Sequence, residues 1–169
     1  NFANTVLNLT LRDVKIDVSD TGDQYDWDQK GKAALSVQGK GNVEIELDGD
    51  NELKSGTQSA GLEKTSTGTL TLKDDKEAGS GSLKATGGKY GAGIGGGYEG
   101  SGSDITITGG EITANGGAEA AGIGGGVLGS GSDITITGGE VTANGGWCGA
   151  GIGGGPRGNG SDITISGGK

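Results

Sequence analysis

Three aspartates recur at a fixed interval in the second half of the chain. Asp104, Asp133 and Asp162 are each followed by Ile-Thr-Ile. If each copy forms one layer of the fold, these carboxylates lie about 4.8 Å apart and repel one another by roughly 1 kcal/mol in water. Two roles that offset this repulsion are open: the aspartates cap backbone N–H groups of the preceding Gly-Ser turn, or they bind Ca²⁺ between layers. All three are therefore candidate metal ligands.

An irregular acidic segment near the start, residues 20–31 (DTGDQYDWDQKG), is a second candidate site. Its aromatic residues, Tyr25 and Trp27, lie among four aspartates. An aromatic ring can stack on the apolar face of a pyranose while carboxylates accept hydrogen bonds from its hydroxyls. The spacing lacks the core of an EF-hand loop. The segment is therefore either a sugar-contacting loop or a solvated loop that covers the first coil.

The copies of the repeat differ mainly at two short corners that flank the motif AGIGGG. The corner before the motif reads Lys89-Tyr90, Ala118-Glu119 and Trp147-Cys148, and the corner after it reads Tyr98-Glu99, Val127-Leu128 and Pro156-Arg157. Repeat proteins often recognise ligands through side chains that vary on a constant scaffold. Tyr90, Tyr98, Trp147 and Arg157 are therefore candidate contacts for a glycan or a protein partner. Drift at unconstrained positions explains the same pattern.

Catalytic chemistry has little support in the composition. The chain has no His, which excludes imidazole-based triads and imidazole metal sites, and Cys148 is the single cysteine. Paired carboxylates occur in any acidic protein, and no spacing singles out a pair here. We expect no enzyme activity. A polysaccharide-active enzyme remains an alternative by analogy of fold alone.

A regular threonine array suggests another class of function. Thr106 and Thr108 recur as Thr135 and Thr137, then as Thr164 and Ser166. Such a hydroxyl face is similar to that of β-solenoid ice-binding proteins. Threonine is also favoured on exposed strand faces for packing reasons alone. Ice binding is thus a weaker alternative.

The element that positions all these residues is a repeat of 29 residues. Residues 91–117 and 120–146 are near copies of each other, and a third copy begins at Gly149. Landmarks such as Ile94, Ile123 and Ile152 keep the interval without insertion. Residues 1–88 contain the same order of motifs in degenerate form. A strict period of this kind is typical of a stacked array rather than a closed globule.

Within each repeat, apolar and polar residues alternate in short runs. Ile105 and Ile107 point to one side and Thr106 and Thr108 to the other, which is the period of a β-strand. Three such runs per repeat, separated by glycine corners, predict an all-β fold: a right-handed parallel β-helix of about five coils with three short strands per coil. We expect one domain over residues 1–169, degenerate over 1–88 and nearly regular over 89–169.

The predicted core consists of aliphatic ladders that run along the helix axis. Its three regular ladders are Ile94/Ile123/Ile152, Ile105/Ile134/Ile163 and Ile107/Ile136/Ile165, continued by Leu62, Leu70, Leu72 and Leu83. Glycine pairs such as Gly109-Gly110 turn the chain between strands because glycine reaches positive φ without a Cβ penalty. The 42 glycines are therefore a structural feature and not a sign of disorder.

Charge and hydropathy restrict the partners. The net charge of −9 disfavours nucleic acid and anionic membrane surfaces. No apolar run approaches the roughly 20 residues that a membrane span needs. The chain has no Met, so we expect a processed or excised piece of a longer protein.

The repeats resemble a known class of module. The resemblance lies in the degenerate coils NVEIELDGDNELKSG and TGTLTLKDDKEAGSGSLKATGG and in the following motifs GAGIGGG and GSDITITGGEITANGG. They are similar to β-helical repeat modules of the carbohydrate-binding type, which occur in cell-surface proteins of Gram-positive anaerobes. The resemblance covers nearly the whole chain but lies in corner glycines and core aliphatics. It implies an extracellular, cell-surface or cell-wall-attached setting, a polysaccharide or host-glycan partner, and Ca²⁺ as a candidate cofactor.

The residues and the resemblance together predict a non-catalytic carbohydrate-binding module or adhesin. The ligand contacts expected are Tyr25, Trp27, Tyr90, Tyr98, Trp147 and Arg157. The main alternative is a structural stalk that holds other domains away from a cell wall. Open strand edges at both ends also leave pairing with another coil or another chain as an expectation.

Overall fold

The computed structural model describes residues 2–76 and 81–169, which form three parallel β-sheets. The first sheet contains β1 (Val6–Arg12), β4 (Asn42–Asp48), β7 (Leu70–Lys73), β10 (Gly102–Ile107), β13 (Gly131–Ile136) and β16 (Gly160–Ile165). The second contains β2 (Lys15–Asp17), β5 (Asp50–Lys54), β8 (Ser82–Thr86), β11 (Glu111–Asn115) and β14 (Glu140–Asn144). The third contains β3 (Leu35–Val37), β6 (Leu62–Lys64), β9 (Ile94–Gly95), β12 (Ile123–Gly124) and β15 (Ile152–Gly153).

Neighbours in each sheet are three strands apart along the chain, so the polypeptide winds as a β-solenoid with three strands per coil. The pairing keeps the period of the sequence: Ile123 pairs with both Ile94 and Ile152, and Ile134 pairs with both Ile105 and Ile163. The predicted parallel fold, its three strands per coil and its 29-residue repeat are confirmed. The described residues contain no helix.

The core is the stack of inward-facing aliphatic residues between the three sheets. Ile45, Leu62, Leu72, Ile107 and Ile123 have no exposed surface. One part of the core prediction is wrong. Ile163 and Ile165 pair in register with the layer below, but they are 37% and 62% exposed because β16 is the outermost strand of its sheet among the described residues.

Glycine is required where neighbouring coils approach each other at a corner. Gly124 has φ of 131°, and an ideal Cβ on it would lie 1.9 Å from the carbonyl oxygen of Gly153 in the next coil. A side chain is excluded there by both conformation and space. The repeated AGIGGG motif is thus a consequence of coil stacking.

No helix in the described part of the chain is long and apolar enough to cross a membrane.

Candidate functional site

Three aromatic rings from separate parts of the chain meet on one side of the solenoid. Trp27 comes from the acidic segment, and Tyr90 and Tyr98 come from the two corners that flank β9. The ring centroid of Trp27 lies 4.8 Å from that of Tyr90 in a stacked arrangement and 5.0 Å from that of Tyr98 in a tilted one. The two tyrosine rings meet edge to face at 6.1 Å. The cluster therefore ties the irregular segment to the repeat.

The acidic segment holds its shape with its own carboxylates. The Asp23 carboxylate accepts a hydrogen bond from the Tyr25 backbone N–H, at 2.8 Å. The Asp26 carboxylate accepts from the Asp28 N–H and from the side-chain amide of Gln29, at 3.1 and 2.9 Å. Two of its four aspartates thus stabilise local turns.

Two hydrogen bonds, one donated by Gln58 and one by Gly31, anchor this segment to the rest of the solenoid. The side-chain amide of Gln58, which is buried, donates to the Trp27 carbonyl at 3.2 Å. The Gly31 N–H donates to the Thr57 carbonyl at 2.8 Å. Trp27 is thereby fixed with half of its surface exposed.

The two variable corners of the repeat lie side by side. The backbone N–H of Val127, in the corner after AGIGGG, donates to the carbonyl of Tyr90, in the corner before it, at 3.1 Å. Successive layers of the second corner also bond, since the Leu128 N–H donates to the Pro156 carbonyl. Side chains that vary between copies are consequently gathered along one line of the surface.

Between these corners lies a cavity of about 430 Å³, here called the aromatic groove. Its lining residues are Trp27, Tyr90, Tyr98, Glu119, Val127, Leu128, Pro156 and Arg157. The groove runs over three successive layers of the repeat. It combines an aromatic end with one carboxylate and one guanidinium, and Arg157 is exposed. Within the described residues, no ion pair involves Arg157 or Glu119.

A lysine lies against the aromatic cluster. The Nζ of Lys89 is 5.0 Å from the ring centroid of Tyr90 and 5.9 Å from that of Tyr25. Hydrogen bonding with the Tyr90 hydroxyl raises the pKa of Lys89, and Glu119 acts more weakly in the same direction. Lys89 is therefore a cation at neutral pH beside the groove.

Of the six ligand contacts expected from the sequence, four line the groove: Trp27, Tyr90, Tyr98 and Arg157. The other two lie outside its lining. Tyr25 is 82% exposed, with its ring facing Lys89, and Trp147 is 98% exposed. Tyr90 differs from the expectation in another way, because it is only 7% exposed and acts mainly as support for Trp27.

The aspartate ladder has a backbone role that the sequence analysis did not predict. Asp104, Asp133 and Asp162 have φ of 54°, 51° and 52°, and strand pairing in β10, β13 and β16 skips them. Aspartate is one of the few residues other than glycine that adopts this left-handed conformation readily. Each aspartate therefore marks a local break at the start of its strand.

Capping and Ca²⁺ binding both stay predictions for this ladder. Among residues 2–76 and 81–169, no group of three or more Asp, Glu, Cys or His side chains could hold a metal ion. A Ca²⁺ ion bound by this ladder would therefore need backbone or water oxygens among its ligands.

A second cavity, of about 490 Å³, adjoins the aromatic groove and shares Tyr98 with it. It is here called the Lys64 cavity, and its polar lining includes Lys30, Gln58, Ser59, Glu63, Lys64 and Ser101. Lys64 follows the alternation of β6, in which Leu62 and Lys64 are buried and Glu63 faces outward. Sequence reasoning missed this lysine. The signal was a charged residue at an inward position of a strand.

Glu119, Val127, Leu128 and Pro156 were also missed as lining residues. All four occupy the variable corners, so variation among the copies could have identified them. The chain alone did not reveal that the two corners face one groove.

Comparison with known proteins agrees with the architecture. Residues 78–98, 105–127 and 134–156 match a family model described as Beta helix repeat. No curated protein and no solved structure matches the chain. The match and the three parallel sheets together support a β-helical repeat module.

Proposed function

We propose that this β-helical repeat module is a non-catalytic carbohydrate-binding module or adhesin, and that its aromatic groove contacts a polysaccharide or host glycan. The observation that carries the proposal is the convergence of Trp27, Tyr90 and Tyr98 on a groove that also contains Arg157. A segment outside the repeat and two variable corners are needed to build it. Coil stacking alone does not require that arrangement.

The aromatic end of the groove suits a sugar ring. Trp27 keeps half of its surface exposed although it contacts both Tyr90 and Tyr98, and this exposed part of the indole can contact the C–H face of a pyranose. Tyr90 supports the ring from below and restricts its motion. A held aromatic ring loses little side-chain entropy when a ligand binds.

The polar groups of the groove suit hydroxyls. The Glu119 carboxylate accepts hydrogen bonds, and the Arg157 guanidinium donates up to five. The groove extends along the stacking direction over layers that repeat at about 4.8 Å. An extended oligosaccharide lying along this direction would meet the aromatic end and both charged groups.

The proposal includes an extracellular setting, at a cell surface or cell wall. It follows from the resemblance of the repeats to surface-protein modules. A stalk that binds nothing is the alternative, and it is equally compatible with a β-helical repeat fold.

The test is binding to a panel of plant, microbial and host polysaccharides, in Ca²⁺ and again in EDTA. We expect wild type to bind one class of glycan and Trp27→Ala to weaken that binding at least 10-fold. Trp147→Ala is the matched control, because Trp147 is a fully exposed tryptophan outside the groove. It should bind like wild type.

Three results would contradict the proposal. Absence of binding across the panel would favour the stalk. Equal loss in both tryptophan variants would place the contact outside the groove. Release of reducing ends or unsaturated products from a polysaccharide would show an enzyme.

A further inference from the structure

The Lys64 cavity contains a buried cation that the proposed glycan groove does not use. Lys64 is 3% exposed and is the last residue of β6, where it occupies a buried position like Leu62. Its Nζ donates a hydrogen bond to the Ser66 carbonyl at 2.9 Å. An ammonium has three donors. Among residues 2–76 and 81–169, Ser66 provides its one acceptor.

Within the described residues, Lys64 forms no ion pair. Burial lowers the pKa of Lys64, and the carboxylate of Asp104 opposes this effect only in part. Asp104 does not line the cavity, and the carboxylate that does, that of Glu63, already accepts a hydrogen bond from the Ala60 N–H at 3.1 Å. Lys30 adds a second cation to the lining. A buried charge without full pairing is costly, so an added acceptor is favourable here.

A second buried polar atom in the same turn lacks a partner. Ser66 Oγ is the one buried side-chain oxygen or nitrogen in the described residues without a hydrogen bond. It belongs to the residue whose carbonyl accepts from Lys64. Ser66 itself does not line the cavity, but two incomplete hydrogen-bonding groups in one short segment are unusual, since buried polar groups are nearly always satisfied.

We infer that the Lys64 cavity binds a small anionic group, a carboxylate or a sulfate, through the Lys64 ammonium. Gln58 and Ser101 supply neutral polar groups to the lining, and Lys30 supplies a second positive charge at the exposed side. The cavity shares Tyr98 with the aromatic groove, so the anion comes either free from solution or as a substituent of a glycan in the groove. The net charge of −9 disfavours anions in general, which makes selective binding here informative.

The inference is tested by titrating the protein with sodium sulfate and with sodium acetate at constant ionic strength. The NMR chemical shifts of the backbone amides of Lys64, Thr65 and Ser66 report binding. We expect saturable shifts in wild type and at least 10-fold weaker binding in Lys64→Met. Lys84→Met is the matched control because Lys84 is exposed on the outer face of β8, and its titration should match wild type. Lys64→Arg, which keeps the charge, should retain part of the affinity.

A pH series on wild type tests the same point without a mutation. Affinity should fall as pH rises through the pKa of Lys64, because the neutral amine attracts no anion. A linear, non-saturating response in wild type overturns the inference, as does unchanged affinity in Lys64→Met or at high pH.

Comparing a carboxylated oligosaccharide with its neutral counterpart distinguishes the two sources of the anion. Tighter binding of the carboxylated form than of either free acetate or the neutral form assigns the anion to a glycan. Binding equal to that of acetate assigns it to a free anion. The salt titrations contain no glycan. Absence of binding to the polysaccharide panel therefore contradicts only the proposed function, and absence of a saturable response to sulfate and acetate contradicts only the anion site.

Discussion

The indole ring of Trp27 stacks on the phenol ring of Tyr90 with centroids 4.8 Å apart and planes 28° apart. The two residues come from an irregular segment and a repeat corner, so this contact joins the part of the chain that lacks the repeat to the part that has it. An offset aromatic pair contributes about 0.5–1.5 kcal/mol beyond its buried area.

Removing the Tyr90 ring should make the Trp27 indole more mobile and more exposed to solvent. In a Trp147→Phe background, Trp27 is the remaining tryptophan, since the chain has two. We expect Tyr90→Ala to red-shift the emission of Trp27 and to increase its quenching by acrylamide. Tyr25→Ala serves as the control because Tyr25 is exposed. Equal effects of the two tyrosine changes would show that the segment holds Trp27 without Tyr90.

Glycines at equivalent corners should differ in their tolerance of a methyl group. A Cβ on Gly131 would lie 2.2 Å from the Gly153 carbonyl oxygen, whereas on Gly160 the nearest atom is the Gly153 Cα at 3.4 Å. We expect Gly131→Ala to lower the free energy of unfolding by about 1–3 kcal/mol or more. Gly160→Ala should change it by less than about 0.5 kcal/mol. Urea unfolding followed by circular dichroism measures both, and equal values would argue against the stacked register.

The isoleucine ladder provides a similar comparison within the core. Ile107 is fully buried, and its equivalent Ile165 is 62% exposed. We expect Ile107→Ala to cost about 2–5 kcal/mol of unfolding free energy because it leaves a cavity. Ile165→Ala should cost less than about 1 kcal/mol. A large loss in the Ile165 variant would mean that another surface covers this end in solution.

Substitutions of Asp133 separate the backbone role from metal binding. Since its φ is 51°, Asp133→Ala should lower the free energy of unfolding by about 1–2 kcal/mol. Asp133→Gly should be nearly neutral, because glycine adopts this conformation freely. Asp133→Asn should be neutral as well. Unfolding measured in Ca²⁺ and in EDTA tests this interpretation, which fails if wild type is stabilised by Ca²⁺ and the Asn variant is not.

The buried Lys64 should make stability rise with pH in the alkaline range. Burial lowers its pKa in the folded state, so between that pKa and the ordinary value the unfolded chain binds more protons than the folded one. Stability attributable to Lys64 is therefore lowest below the folded-state pKa and increases above it. The difference in unfolding free energy between wild type and Lys64→Met, measured from pH 7 upward, should move in favour of wild type. A difference that is independent of pH would show that Lys64 has an ordinary pKa.

Much of the fold followed from local pattern. The interval between Ile94, Ile123 and Ile152 predicted which residues pair, because a parallel stack with a constant period has one register. The two-residue alternation of Ile105 and Ile107 predicted which side faces the core. The backbone conformation of single residues was harder to predict. The sequence suggested capping or metal binding for the three aspartates and did not indicate their left-handed φ. The repeat drew attention to their side chains, and only the structure showed their left-handed backbone.

The sequence by itself determined the repeat, the strands, the glycine corners and the list of variable positions, since all of these depend on residues close together along the chain. Only the tertiary structure decided that the segment around Trp27 folds back onto Tyr90 and Tyr98, and that Trp147 lies outside the groove. That docking depends on a nonrepeating segment, whose position no period predicts. It rests instead on ring stacking and on the hydrogen bond from Gln58 to the Trp27 carbonyl, contacts that exist only after the coils have stacked.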